Sequence, residues 1–276
     1  MSKPTFTAFA AFEKQGWSDP EVARSYADGF AQASQMCVAP MVAAVGAGAG
    51  SQALDLCCGQ GIVAAGLHQA KADVTGLDFS PAMLDLARER VPGVTFVEGD
   101  AMQLPFEDGQ FDVVTIGFGI LHVPDAPQVL AQAHRVLRPG GRLAFSVWHA
   151  PTVPTALGYV FAAIGAHGDP AVQLPPGPGL HDYADAAIAY PALERAGFTE
   201  CAQQVVHSAW TIDQPDAPVT FFAKGAVRGK ALLASQPEAA LTKIRQSVAE
   251  TVRAAHGATG PWTVPIPAVI TSAQAT

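Results

Sequence analysis

Residues 51–61 read Ser51-Gln52-Ala53-Leu54-Asp55-Leu56-Cys57-Cys58-Gly59-Gln60-Gly61. A short apolar stretch meets an acid, then a turn with two glycines, and a helical pattern follows to about residue 69. The glycines let a ligand come close to the backbone. The helix start offers free N–H groups and the positive end of a dipole. This stretch therefore predicts a site for a ligand that carries an anionic group.

Outward from it, apolar stretches near 52–57, 72–78, 93–98, 111–117 and 142–148 are short enough for buried strands. Helical patterns at about 61–69, 80–90 and 126–137 separate most of them, with Ser80 before Pro81 and Asp125 before Ala126 as helix starts. Strand and helix in alternation imply right-handed crossovers and a parallel sheet. The expected class is α/β with a Rossmann-like, mostly parallel sheet, and ligands then lie beyond the carboxyl ends of the strands.

Upstream, residues 18–45 read as one helix, with Asp19 as cap and Pro20 at its first position. Val22, Tyr26, Phe30, Ala33 and Cys37 recur at helical spacing, and Gly46, Gly48 and Gly50 end the pattern. Downstream of Trp148, six prolines from Pro151 to Pro178 break the chain up to about residue 182. A helix at 185–196, a strand at 201–212, helices at 216–232 and 237–256, and a last strand from Pro265 to Thr271 are expected. Leu241, Ile244, Val248 and Val252 form an apolar stripe that reads as core packing. This organisation predicts an N-terminal helical cap (1–50), a nucleotide-binding core (51–148), and the rest of the sheet with an inserted helical cap (149–276).

The chain has 276 residues, enough for a substantial core. Hydrophobic residues are 49% and charged residues 14%, below the usual quarter or so. The formal net charge is -8 and no Lys/Arg cluster stands out, which argues against a nucleic-acid partner. Cys37, Cys57, Cys58 and Cys201 match no zinc spacing and read as reduced thiols, and no metal is expected. Glu13 and Lys14 interrupt the N-terminal apolar stretch, so no signal peptide is read. The uncharged run 29–54 holds Gln32, Gln35, Pro40 and several glycines, so no membrane span is read either, and a cytoplasmic protein is expected. The sequence says nothing about oligomeric state.

Gly59-Gln60-Gly61-Ile62-Val63-Ala64 also fits the dinucleotide pattern, with Asp78 about 20 residues on for a ribose. Electrostatics separates the two ligands. Asp55 directly before the loop would face a pyrophosphate with some repulsion. It suits a ligand with an ammonium group beside the loop. S-adenosylmethionine has that ammonium, a carboxylate for the helix start and a ribose for Asp78.

The stretch resembles the first motif of the class I S-adenosylmethionine-dependent methyltransferases. Val74-Thr75-Gly76-Leu77-Asp78-Phe79-Ser80 is similar to their second-strand motif, and Gly99-Asp100-Ala101 to their adenine site. Leu104-Pro105-Phe106, Phe111-Asp112 and Arg138-Pro139-Gly140-Gly141 resemble the leads into the fourth and fifth strands. The likeness spans about residues 17–148, and the region from Gly177 to Gly197 is similar to small-molecule members. It implies a seven-stranded sheet whose last strand is antiparallel. It implies a cofactor set of Asp55, Cys57, Gly59, Gly61, Asp78, Phe79, Met83, Asp100, Ala101, Gly117, Phe118 and Tyr26, with Asp78 on the ribose and Asp100 on the adenine amine.

One departure stands at Cys57, where the family most often has glycine. A cysteine there predicts ordinary backbone angles. The vicinal Cys57-Cys58 pair reads as packing under the loop. Gly61 is expected to leave room for the ligand, and Asp78 to matter for affinity more than for folding.

The implied reaction is in-line methyl transfer from the sulfonium to an O, N or C nucleophile of a small molecule, which depends on positioning more than on charged groups. His122, just past the fourth strand, is the candidate general base, with His149 and His181 as rivals. An NAD-type oxidoreductase and a non-catalytic S-adenosylmethionine-binding protein remain alternatives.

Overall fold

The computed structural model describes residues 6–150 and 154–276. Of the proline breakers, Pro151 lies outside these residues.

Four helices open the chain: α1 (Thr7–Trp17), α2 (Pro20–Gly29), α3 (Ala31–Gln35) and α4 (Val38–Val45). The carboxylate of Asp19 accepts from the Glu21 N–H at the start of α2, as expected. The single helix expected over 18–45 is instead broken twice, at Phe30 and at Met36–Cys37. Gly46, in the left-handed region at φ 64°, ends α4. Helix α1 had no counterpart in the sequence reading.

The core alternates β1 (Gln52–Leu56), α5 (Ile62–Gln69), β2 (Asp73–Asp78), α6 (Pro81–Arg90), β3 (Thr95–Glu98), β4 (Phe111–Gly117), α7 (Ala126–Val136) and β5 (Leu137–Trp148). The Ser80 hydroxyl accepts from Met83 N–H, and the Asp125 carboxylate from Gln128 N–H, so both helix starts sit where the sequence put them. Beyond β5 come α8 (Ala156–His167), α9 (Ala186–Arg195), β6 (Phe198–Val206), β7 (Ala209–Ile212), α10 (Ala217–Gly225), α11 (Val227–Ala234), α12 (Glu238–His256), β8 (Trp262–Pro265) and β9 (Ala268–Ala275).

Seven strands form one sheet in the order β3-β2-β1-β4-β5-β9-β6, in which only β9 runs against its neighbours. The order reverses between β1 and β4, the crevice where open α/β sheets bind ligands. The expected strand 201–212 is two strands. It breaks at His207–Ser208, so that β6 stays in the main sheet and β7 pairs with β8 in a separate ladder. The last expected strand is likewise split at Ile266–Pro267, because a proline cannot donate to a ladder. Helices α10, α11 and α12 leave from the end of β7 and return at the start of β8. Helix α10 packs on α2, and α12 packs on α8, a helix that the proline-rich reading of this region did not foresee. Ile244, Val248 and Val252 of α12 are buried, as the stripe required. Among the described residues no helix is long and apolar enough to cross a membrane.

Candidate functional site

Two adjoining cavities open at the carboxyl ends of β1, β2, β3 and β4. The inner one, about 60 Å³, lies between the glycine turn and the N-terminal helices, against Tyr26, Asp55, Gln60, Met83, Gly117 and Phe118. The outer one, about 540 Å³, is walled by Asp78, Phe79, Glu98, Asp100, Ala101 and Met102. Cys57, Asp78, Phe79 and His122 border both. Of the residues expected to form the site, all but Gly61 line one cavity or the other.

The turn after β1 is built on left-handed backbone. Gly59 has φ 52°, and a β-carbon there would meet nothing nearer than the Met83 sulfur at 4.0 Å. Its bare face is turned to the cavity. Gly61 also needs glycine, at φ 78°, but for another reason. A β-carbon there would lie 3.1 Å from the Ala87 Cβ and 3.3 Å from its Cα. The expectation that Gly61 leaves room for a ligand is therefore corrected: it leaves room for α6.

Cys57 corrects a second expectation. It has φ 51°, so a non-glycine residue does adopt the left-handed conformation here. Such a residue costs about 1–2 kcal/mol. Phe118, at the end of β4, is in the same region at φ 58°. Two strained residues face each other across one crevice, the usual place for stored backbone strain. Phe118 is held by its N–H donating to the Ser146 carbonyl and hydroxyl, and by its ring stacked on Trp148 at 4.1 Å. Burial pushes the thiols of Cys57 and Cys58 well above their usual range, with Asp78 and Asp55 adding to the effect. A thiol held protonated in this way is a poor nucleophile. All four cysteines are free.

Asp55 is buried at the end of β1. One oxygen accepts from the Thr115 hydroxyl at 2.8 Å and the other from the Ala64 N–H at 2.9 Å. Burial still wins over these bonds and pushes its carboxyl up to about 7. Asp78, at the end of β2, accepts from Gly59 N–H and Ser80 N–H, each at 2.9 Å. Burial raises its pKa as well, against those bonds. Asp78 therefore ties the glycine turn to the start of α6, so it bears on folding as well as on the site. Asp100 is exposed after β3 and accepts from Met102 N–H at 2.8 Å.

Three residues were missed. Gln60 is buried between the two turn glycines, with an amide nitrogen that has no hydrogen-bond partner among the described residues. Glu13, on α1, is buried and holds Trp17, His122 and Arg228 together. Its carboxyl would be raised by burial, but the imidazole and the guanidinium outweigh that and hold it below the usual range. Arg228 comes from α11. A charged residue on an apolar helix is the only signal that could have flagged Glu13. Of the rival histidines, His149 bonds the Ala150 carbonyl and His181 the Trp148 carbonyl; neither borders these cavities.

These groups fit S-adenosylmethionine. The inner cavity offers a buried carboxylate for its ammonium and, for its carboxylate, a helix start and an amide without a partner among the described residues, which place no lysine or arginine in its walls. The outer cavity offers acids at the ends of β2 and β3 to a nucleoside.

A methyltransferase-domain family matches residues 54–145. The demethylmenaquinone methyltransferase of Staphylococcus epidermidis is 46% identical over 111 residues, which are 38% of this chain and 46% of that protein. The chain thus spans about half the length of the curated relatives it matches. Among solved structures, phosphoethanolamine N-methyltransferase 2 of Haemonchus contortus, in complex with phosphomonomethylethanolamine and S-adenosylhomocysteine, aligns with TM-score 0.52 at 18% identity, over 86% of this chain and 52% of that one. The cyclase SpnF aligns with TM-score 0.55 at 20% identity, over 88% and 82%. These two show the fold. The part of the chain from β1 to β5 is thus similar to a methyltransferase domain, and the sheet has the Rossmann-like fold of S-adenosylmethionine-dependent methyltransferases.

Proposed function

We propose that the chain transfers a methyl group from S-adenosylmethionine to a small-molecule acceptor, in the cytoplasm. The observation that carries this reading is the placement of Asp55, Asp78 and Asp100 at successive strand ends around two joined cavities, beside the open face of Gly59. In it, Asp55 holds the ammonium and Asp78 the ribose. Asp100 and Ala101 take the adenine, with Phe79 and Met83 against its faces. Cys57, Gly117, Phe118 and Tyr26 border the reactive end, while Gly61 acts only through the turn's shape. When bound, the cofactor supplies a methyl group already activated on a positive sulfur.

The chain's own residues orient the acceptor in line with that methyl and exclude water, and alignment of this kind can supply about 7–11 kcal/mol. Helices α8 and α10–α12, with α1 and α2, form the cap over the acceptor. The Staphylococcus relative is named for demethylmenaquinone, which supports a quinone-type acceptor. SpnF carries the same fold as a cyclase, so fold alone does not fix the reaction.

Calorimetry with S-adenosylmethionine, S-adenosylhomocysteine and NAD, followed by transfer of labelled methyl to a panel of small phenols, quinols and amines, tests the proposal. Binding of the first two but not NAD, with label in an acceptor, is the expected result. Binding of NAD alone would overturn it, and binding without any transfer would leave a cofactor-binding protein.

A further inference from the structure

Three donors converge on one buried carboxylate. Glu13 Oε2 accepts from Trp17 Nε1 and is bonded to His122 Nδ1, both at 2.9 Å. Glu13 Oε1 accepts from Arg228 Nε at 2.9 Å. The three partners come from α1, the turn after β4 and α11. The Glu13 side chain is only 2% exposed. Arg228 is fixed in turn: it donates to the carbonyls of Pro178 and Leu121 and lies 4.5 Å over the Phe9 ring.

The chemistry of these groups fixes which ring nitrogen of His122 carries the proton. A carboxylate paired with an arginine is ionised and can only accept, so the nitrogen facing it must donate. Nδ1 therefore carries hydrogen, and in the neutral ring Nε2 keeps a free lone pair. Arg228 already supplies the counter-charge for Glu13, so the bond at Nδ1 does not require an imidazolium. Among the described residues Nε2 has no hydrogen-bond partner, and the ring borders both cavities. Trp17, edge-on to the imidazole at 5.0 Å, bonds the same carboxylate and limits its rotation.

We propose that Glu13 is a positioning residue that holds His122 as the Nδ1–H tautomer, so that Nε2 takes the proton from a weakly acidic hydroxyl, phenolic or enolic, on the acceptor. This rests on the methyl-transfer reading above and narrows its substrate class. In the step, the acceptor oxygen forms a bond to the methyl carbon. The S–CH3 bond breaks with its electron pair staying on sulfur, which becomes a neutral thioether. The hydroxyl proton passes to Nε2, and the imidazolium so formed is stabilised by Glu13.

The test uses the full chain with two probe acceptors at pH 8: 4-methoxyphenol, which keeps its proton, and 4-nitrophenol, which has lost it. Glu13→Gln should lower kcat with 4-methoxyphenol by about 10²-fold, within the range for a positioned base. It should leave the KM for S-adenosylmethionine and the turnover of 4-nitrophenol nearly unchanged. Equal losses on both phenols, or none, would overturn the proposal. Where Glu13→Gln does not fold, the double variant Glu13→Met with Arg228→Met removes both charges together and is read the same way. The second arm needs no acceptor. In 15N-histidine NMR, the ring absent from His122→Asn should show a protonated Nδ1 and a bare Nε2 in the wild type. A protonated Nε2 would overturn the proposal. If the wild type binds S-adenosylmethionine and methylates neither phenol, the transferase reading suffers, and the tautomer alone decides the role of Glu13.

Discussion

Gly119 lies flat against Cys57: a β-carbon on Gly119 would sit 2.3 Å from the Cβ of Cys57 and 3.0 Å from its sulfur. The turn after β1 and the turn after β4 therefore lock where Gly119 meets Cys57, and both Cys57 and Phe118, the neighbour of Gly119, hold left-handed backbone. Gly119→Ala cannot be accommodated without moving one turn. It should lower cofactor affinity by more than tenfold in calorimetry while the far-ultraviolet dichroism keeps its shape. Unchanged affinity would show that the two turns move independently.

The two glycines of the first turn should fail in different ways. Gly59→Ala puts its methyl toward open cavity, so cofactor affinity should fall more than stability, apart from a left-handed penalty of about 1–2 kcal/mol. Gly61→Ala adds the same penalty and a contact 3.3 Å from the α6 backbone, so its thermal melt should fall further. Denaturation with and without S-adenosylhomocysteine distinguishes them. A Gly61 variant of normal stability that no longer binds cofactor would contradict the assignment.

Asp55 gives a pH dependence of definite sign. Its carboxyl is pushed up to about 7 in the folded chain, against about 3.9 unfolded. Between those values the folded state holds the extra proton, so stability of the cofactor-free protein should fall as pH rises from about 4 to about 7, then level off. Asp78, shifted in the same direction, adds to the trend. The ammonium of the cofactor selects the ionised form, so affinity should rise up to about tenfold from pH 6 to above 7, with proton release below 7. Calorimetry in buffers of different ionisation enthalpy reads that proton. Asp55→Asn should abolish both trends, and a flat affinity in the wild type would place the ammonium elsewhere.

Asp78→Ala strips the partners from two backbone N–H groups, on Gly59 and Ser80. Each unpaired donor costs about 1–3 kcal/mol when buried. The variant should therefore both melt earlier and bind cofactor less tightly. A loss of affinity with an unchanged melt would restore the simpler view of Asp78 as a ligand to the ribose alone.

Arg228→Ala leaves Glu13 buried without its cation, and breaking such a pair costs about 3–5 kcal/mol. Urea denaturation should show that loss. Adding Glu13→Gln to it should recover part of the loss, whereas two additive losses would mean that the pair is not coupled.

The parallel core was legible because its signals are local. Ser80 before Pro81 and Asp125 before Ala126 cap the helices they were expected to cap, and the apolar runs of β1, β2 and β4 are too short for helices. Asp55 and Asp78 were legible because an acid at a strand end has a defined direction in such a sheet. What was hidden depends on contacts distant in sequence. Cys57 adopts φ 51° because the turn around it dictates the backbone, which residue type alone does not reveal. Gly61 was assigned to the ligand because spacing cannot say that its neighbour is Ala87. Glu13 is separated from His122 by 109 positions and from Arg228 by 215, and nothing near it in sequence shows that they meet. The break at His207–Ser208 is only two polar residues long, with Val205-Val206 before it and Ala209-Trp210 after it, so the two strands read as one.

That break has a structural dividend. Ile212 and Trp262 are direct partners in the β7–β8 ladder, so the excursion through residues 213–261 begins and ends about one strand spacing, roughly 5 Å, apart. Its length is thereby decoupled from the register of β5, β9 and β6. Residues can be added or lost between those two positions without shifting the main sheet, as long as Arg228 still reaches Glu13 and α10 still packs on α2.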